Sequence, residues 1–92
     1  MTHEEQALSS DSALRAEVLH RLAEDEYLAP LGLRVGVLNA IIHLCGSVPT
    51  LDLWRRAERI AGESLPGVRG VVNRIQAPGA PNPSRTIHLN LP

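Results

Sequence analysis

Residues 33–48, LRVGVLNAIIHLCGSV, constrain the fold more than any other stretch. Two runs with a period of two stand there with only two residues between them. In the first, Leu33, Val35 and Val37 alternate with Arg34, Gly36 and Leu38. In the second, Ile42, Leu44, Gly46 and Val48 alternate with Ile41, His43, Cys45 and Ser47. Such a short step makes the chain double back, so the segment reads as a hairpin with one buried face. Asn39 suits a positive φ, but Ala40 stands where Gly is preferred, so a turn longer than the tight primed one, or of another type, is expected. A hairpin cannot bury its apolar face unaided, so flanking segments must cover it.

Helical periods lie on both sides. Ser9, Ser10, Asp11 and Ser12 are good N-cap types, and SALRAEVLHRLAED places Leu14, Val18 and Leu22 on one stripe, widened by Leu19 and Ala23. Asp25 and Glu26 oppose the helix dipole and mark its end. Past the hairpin, Thr50 caps LDLWRRAERIAGES, whose core stripe is Leu53, Ala57, Ile60, Ala61 and Ser64. Pro66-Gly67 stops that helix, and VRGVVNRIQ is β-branched and strand-like. The Gly67–Gly70 pair has the spacing of a nucleic-acid clamp, but a strand rather than a helix follows it, so a helix-ending turn is the expected role.

The order α-β-β-α-β gives an α+β two-layer sandwich with both helices on one face of a small mixed sheet. The helical crossover makes the second and third strands parallel, and the first strand is placed between them. Residues 1–10 read as a flexible N-terminal tail, 11–76 as the domain, and 77–84 (APGAPNPS) as a Pro/Gly linker. In RTIHLNLP, Ile87, Leu89 and Leu91 alternate with polar residues, so 85–92 reads as an extra C-terminal strand. It would either join this sheet or add to a neighbouring chain by strand exchange. With no Phe, one Trp and one Tyr in 92 residues, the core must be aliphatic.

Few functions leave a mark. Nine basic residues, all Arg, against ten acidic ones give a net charge of −1, which disfavours general nucleic-acid binding. A single cysteine excludes an internal disulfide. The polar, acidic N-terminus has no secretory pattern, and the expectation is a cytoplasmic protein, at most peripheral to a membrane. His43 and Cys45 share a strand face but lack a third ligand nearby unless His88 approaches on a fourth strand, so no metal site and no cofactor are expected. No nucleophile elbow, phosphate loop or dinucleotide fingerprint is present, so no catalytic residues are assigned. The second helix is more pointed: Arg55 and Arg59 share its outward face, Arg56 flanks them, and Trp54 falls at the edge of the core stripe. A boundary Trp beside Arg is the pattern of an interfacial helix that contacts lipid or a partner. Asp52 and Glu63 lie near enough in sequence to offset part of that charge.

These segments together resemble the BON (bacterial osmotic-shock and nodulation) domain family. The resemblance rests on DSALRAEVLHRL, on LRVGVLNAIIHLCGSV with Gly46 in its second strand, on RRAERIA and on LPGVRGVVNRI, and it covers Asp11 to Gln76. Asn39-Ala40 departs from the family's usual turn ending in Gly, and SRTIHLNLP lies beyond the family core. The resemblance implies a small non-catalytic binding module, with anionic phospholipid or another envelope-associated ligand as its partner. The alternative is a cytoplasmic protein–protein module that forms a homo-oligomer through a sheet edge or the C-terminal strand.

Overall fold

A computed structural model describes residues 3–64, 66–81 and 84–87, with side chains for 11–64 and 66–81. Helix α1 spans His3–Glu24. A short 3-10 helix, Ala29–Leu31, leads into strands β1 (Arg34–Leu38) and β2 (Ile41–Ser47). Helix α2 (Leu51–Gly62), β3 (Gly70–Gln76) and β4 (Ser84–Ile87) follow. The α-β-β-α-β order is as the periodicity indicates. Two helix boundaries differ. Helix α1 starts at His3, ahead of the expected caps, and α2 ends at Gly62, because Glu63 already leaves helical geometry at φ −102°, ψ 8°.

Buried residues from both helices and three strands form one core. Leu14, Val18 and Leu22 of α1 and Trp54, Ala57 and Ala61 of α2 meet Val35, Ile42, Leu44, Val71 and Ile75. Both helices therefore lie on one side of the sheet. Ala57 and Ala61 have no exposed surface, and their small side chains let α2 lie close to β2 and β3. Ala23, expected on the α1 stripe, is exposed.

The sheet order is β1-β2-β3-β4. Strands β2 and β3 are parallel and directly paired, from Ile41↔Gly70 to Ser47↔Gln76. This corrects the placement of the first strand between them: among the described residues β1 is an edge strand that pairs only with β2. The tight hairpin fixes β1 beside β2, and the α2 crossover carries β3 to the other side of β2. The far edge of β3 takes β4 antiparallel, with Gly70↔Ile87 and Asn73↔Ser84. The C-terminal strand thus joins the chain's own sheet over 84–87, while Leu89 and Leu91 lie outside the described residues.

The hairpin turn is another correction. Leu38 pairs with Ile41, and Asn39 and Ala40 both take positive φ (54° and 63°), which is the tight primed turn despite the alanine. Its conformation is held from outside. The Asp11 carboxylate accepts hydrogen bonds from the Asn39 and Ala40 amides, each at 2.9 Å. The Ala40 carbonyl accepts one from the Arg69 amide at 2.8 Å. An alanine at positive φ costs about 1–2 kcal/mol, of which glycine's greater unfolded-state freedom offsets part. Ala40→Gly is expected to stabilise the domain by about 0.5–1 kcal/mol, seen as a higher midpoint in urea. A lower midpoint would mean that the alanine side chain contributes more by packing than its backbone loses by strain.

Gly46 takes φ 135°, and a Cβ there would sit 2.7 Å from the Leu33 side chain. The glycine lets the residue preceding β1 cross the end of β2.

Candidate functional site

The most featured surface lies where α1 ends and α2 begins. Asp25 is buried just past the end of α1. Its carboxylate accepts hydrogen bonds from the Tyr27 amide (3.0 Å) and the Leu28 amide (3.2 Å), which turns the chain sharply and seats Leu28 in the core. The same carboxylate accepts from the Arg56 guanidinium of α2. That guanidinium also lies over the Tyr27 ring, 5.8 Å from its centroid, within cation–π range. Burial alone would push the Asp25 carboxyl up. The Arg56 hydrogen bond and charge, with the Tyr27 and Leu28 amides, outweigh that and hold it below its ordinary 3.8.

A carboxyl depressed in the folded state stabilises at pH values above its unfolded pKa. That stability is lost as pH falls through the lower folded value. Stability should therefore fall as pH drops below about 4. Asp25→Asn should flatten this acid limb at a cost of about 1–3 kcal/mol near neutrality. Thermal melts at pH 7 and pH 3 test both statements. An unchanged acid limb in Asp25→Asn would assign the acid sensitivity to other carboxyls.

Two concavities flank the Tyr27–Arg56 pair. One, about 440 Å³, is lined by Glu24, Glu26 and Glu63 among others. The other, about 490 Å³, is lined by Tyr27, Thr50, Asp52, Arg55, Arg56 and Arg59. Its floor is the first turn of α2, which is capped by Thr50 accepting from the Leu53 amide at 3.2 Å. Arg55 and Arg59 are exposed and one turn apart. Among the described residues neither has an ion-pair partner. Among the described residues Asp52 and Glu63 form no ion pair with them; the α2 arginine that is ion-paired is Arg56. Two guanidinium forks with free donors beside an exposed tyrosine can grip phosphate or carboxylate oxygens.

Trp54 is not at the boundary. It is 5% exposed, and its indole N–H donates to the Ile75 carbonyl at 2.9 Å. The helix turns the Trp54 side chain inward, onto β3, so the residue anchors α2 and leaves surface contact to Arg55 and Arg59. Asn73, fully buried, adds a second tie by donating to the Trp54 carbonyl (3.4 Å) and to Glu58 (3.2 Å). Tyr27, 58% exposed, has no period or motif around it. The sequence signal that could have located this corner is the run Asp25-Glu26-Tyr27 between a finished helix and Pro30.

His43 and Cys45 sit on the sheet face away from the helices. No group of three His, Cys, Asp or Glu side chains able to hold a metal occurs among the described residues, and His88 lies outside them. Among the described residues, no helix is long and apolar enough to cross a membrane.

A family model described as BON domain matches residues 10–79, a span that contains the Asp25–Arg56 corner, both arginine positions and the hairpin. No curated protein matches the sequence.

Proposed function

The chain belongs to the BON domain family, whose members are non-catalytic binding modules, and from that premise we propose that its outward α2 surface binds anionic phospholipid headgroups. The observation that carries this reading is the exposed Arg55–Arg59 pair, without an ion-pair partner among the described residues, opening into the same concavity as Tyr27. Each arginine near an anionic membrane contributes about 1 kcal/mol. The positive end of α2 adds to this and Asp52 subtracts from it. Tyr27 supplies an amphipathic ring of the kind that sits at headgroup level. Trp54 and the Asp25–Arg56 pair hold the helix and the ring in place.

The self-association reading has less behind it. Strand β4 occupies the β3 edge within the same chain. On the opposite edge, the Arg15 side chain donates to the Val35 carbonyl at 2.9 Å, and an arginine over an edge strand discourages a second strand from pairing there.

Flotation with vesicles tests the proposal. Binding is expected to vesicles containing anionic lipid, to be weak on neutral ones, and to decline from low to physiological salt. Equal binding to both vesicle types, or to neither, would sink it. Sedimentation of the lipid-free protein, with and without residues 77–92, addresses the alternative. A change in oligomeric state on truncation would favour strand exchange.

A further inference from the structure

The sheet has a second face, turned away from the core that both helices enter; Val72 is buried on it, and most of its other described side chains are exposed or half-buried. On it stand Leu38 and Ile41 at the hairpin end, and Arg34 and Arg74 nearer the other end. Leu38 is 65% exposed, one of only two large apolar side chains so exposed among the described residues. Arg34 and Arg74 flank Cys45 in one cross-strand row (Arg34↔Cys45 and Cys45↔Arg74). Both are exposed, and neither has an ion-pair partner among the described residues.

The composition of this face selects the occupant. Among the described side chains that β1, β2 and β3 turn away from the helices, none is acidic. The rest are small, polar or aliphatic, with His43 the only other titratable group besides Cys45. A second copy of the chain, face to face, would set arginine against arginine. Nucleic acid on an open sheet relies on aromatic rings for base stacking, and these strands carry none. What complements two unpaired cations and an apolar end is a protein segment with carboxylates and apolar side chains.

Strand geometry sets the spacing. Arg34 and Arg74 are two inter-strand steps apart, about 10 Å at Cα, with the short Cys45 side chain between them. Leu38 lies four residues along β1 from Arg34, about 13 Å. An extended segment meets both ends when its apolar and acidic residues are four positions apart. We infer that the outer sheet face, through Leu38, Ile41, Arg34 and Arg74, docks an acidic protein segment bearing apolar residues at that spacing.

This surface is on the opposite side of the two-layer fold from Arg55 and Arg59, so one molecule can hold a membrane and a protein segment together. The inference does not use the α2 arginines, and the two surfaces fail separately. The test is an amide chemical-shift titration of the full chain with a synthetic peptide carrying two leucines and, four residues on, two glutamates. Its Lys-for-Glu counterpart serves as control. Shifts confined to β1, β2 and β3 are expected, with a Kd on the order of 1 mM. The lysine peptide should bind at least about tenfold more weakly. Arg34→Glu/Arg74→Glu, at exposed positions, should remove the shifts while vesicle binding by the α2 face persists. Equal binding of the two peptides, shifts centred on α2, or no shifts at several times 1 mM would each overturn the inference. So would tighter binding of a single-stranded oligonucleotide to the same strands.

Discussion

Trp54→Ala is expected to lower the unfolding free energy by about 3–5 kcal/mol, the usual cost of removing a large buried aromatic. For a domain of this length that is a large share of a total of about 5–10 kcal/mol. The reason lies in the composition. The chain has no Phe, so Trp54 is the one large aromatic in a core otherwise made of aliphatic side chains, and no neighbour can fill its volume. Trp54→Phe should retain most of the apolar contact and lose the hydrogen bond to Ile75, at about 1–3 kcal/mol. Urea unfolding followed by circular dichroism measures both, because the substitution also removes the fluorescent probe. The result bears on function as well. Loss of lipid binding in Trp54→Ala would report an unfolded helix, whereas a variant that stays stable to within 1 kcal/mol yet loses lipid would return the indole to the surface.

The second large effect is on binding. Arg55→Glu/Arg59→Glu removes two favourable charges and adds two unfavourable ones. At about 1 kcal/mol per charge near an anionic surface, the change is about 4 kcal/mol, or roughly a thousandfold in vesicle affinity. The double alanine variant should lose about half of that in free energy, roughly thirtyfold. Neither variant should change the unfolding free energy read from urea melts by more than about 0.5 kcal/mol, since both side chains are exposed. Arg56→Glu is the informative contrast. It breaks the pair with buried Asp25 and should fail first in stability. Undiminished vesicle binding by the double glutamate variant would remove α2 as the lipid surface.

The order α-β-β-α-β and the inward residues were legible because burial leaves a period in the sequence. Leu14, Val18 and Leu22 recur at helical spacing, Ile42 and Leu44 at strand spacing, and both sets are buried. The Thr50 cap was legible because capping is a local bond. Three features were not. The tight turn at Asn39-Ala40 depends on a carboxylate 28 residues away, and an alanine in that position argues against it when read alone. Asp25 looked like a poor helix terminus, but its partner is Arg56, on the other helix. Trp54 looked amphipathic because its place on the helical wheel borders the stripe. How far the stripe is covered depends on how closely β3 approaches.

By itself, then, the sequence determined the alternation of helix and strand, the parallel crossover and the family, since these follow from side-chain period and local stop signals. The tertiary structure alone decided which α2 arginine is ion-paired and which are left without a partner among the described residues, that Trp54 is a core residue, and that β1 is an edge strand whose outward side chains lie away from both helices. Those outcomes depend on groups far apart in the chain meeting within hydrogen-bond distance, and separation in sequence carries no signal for that.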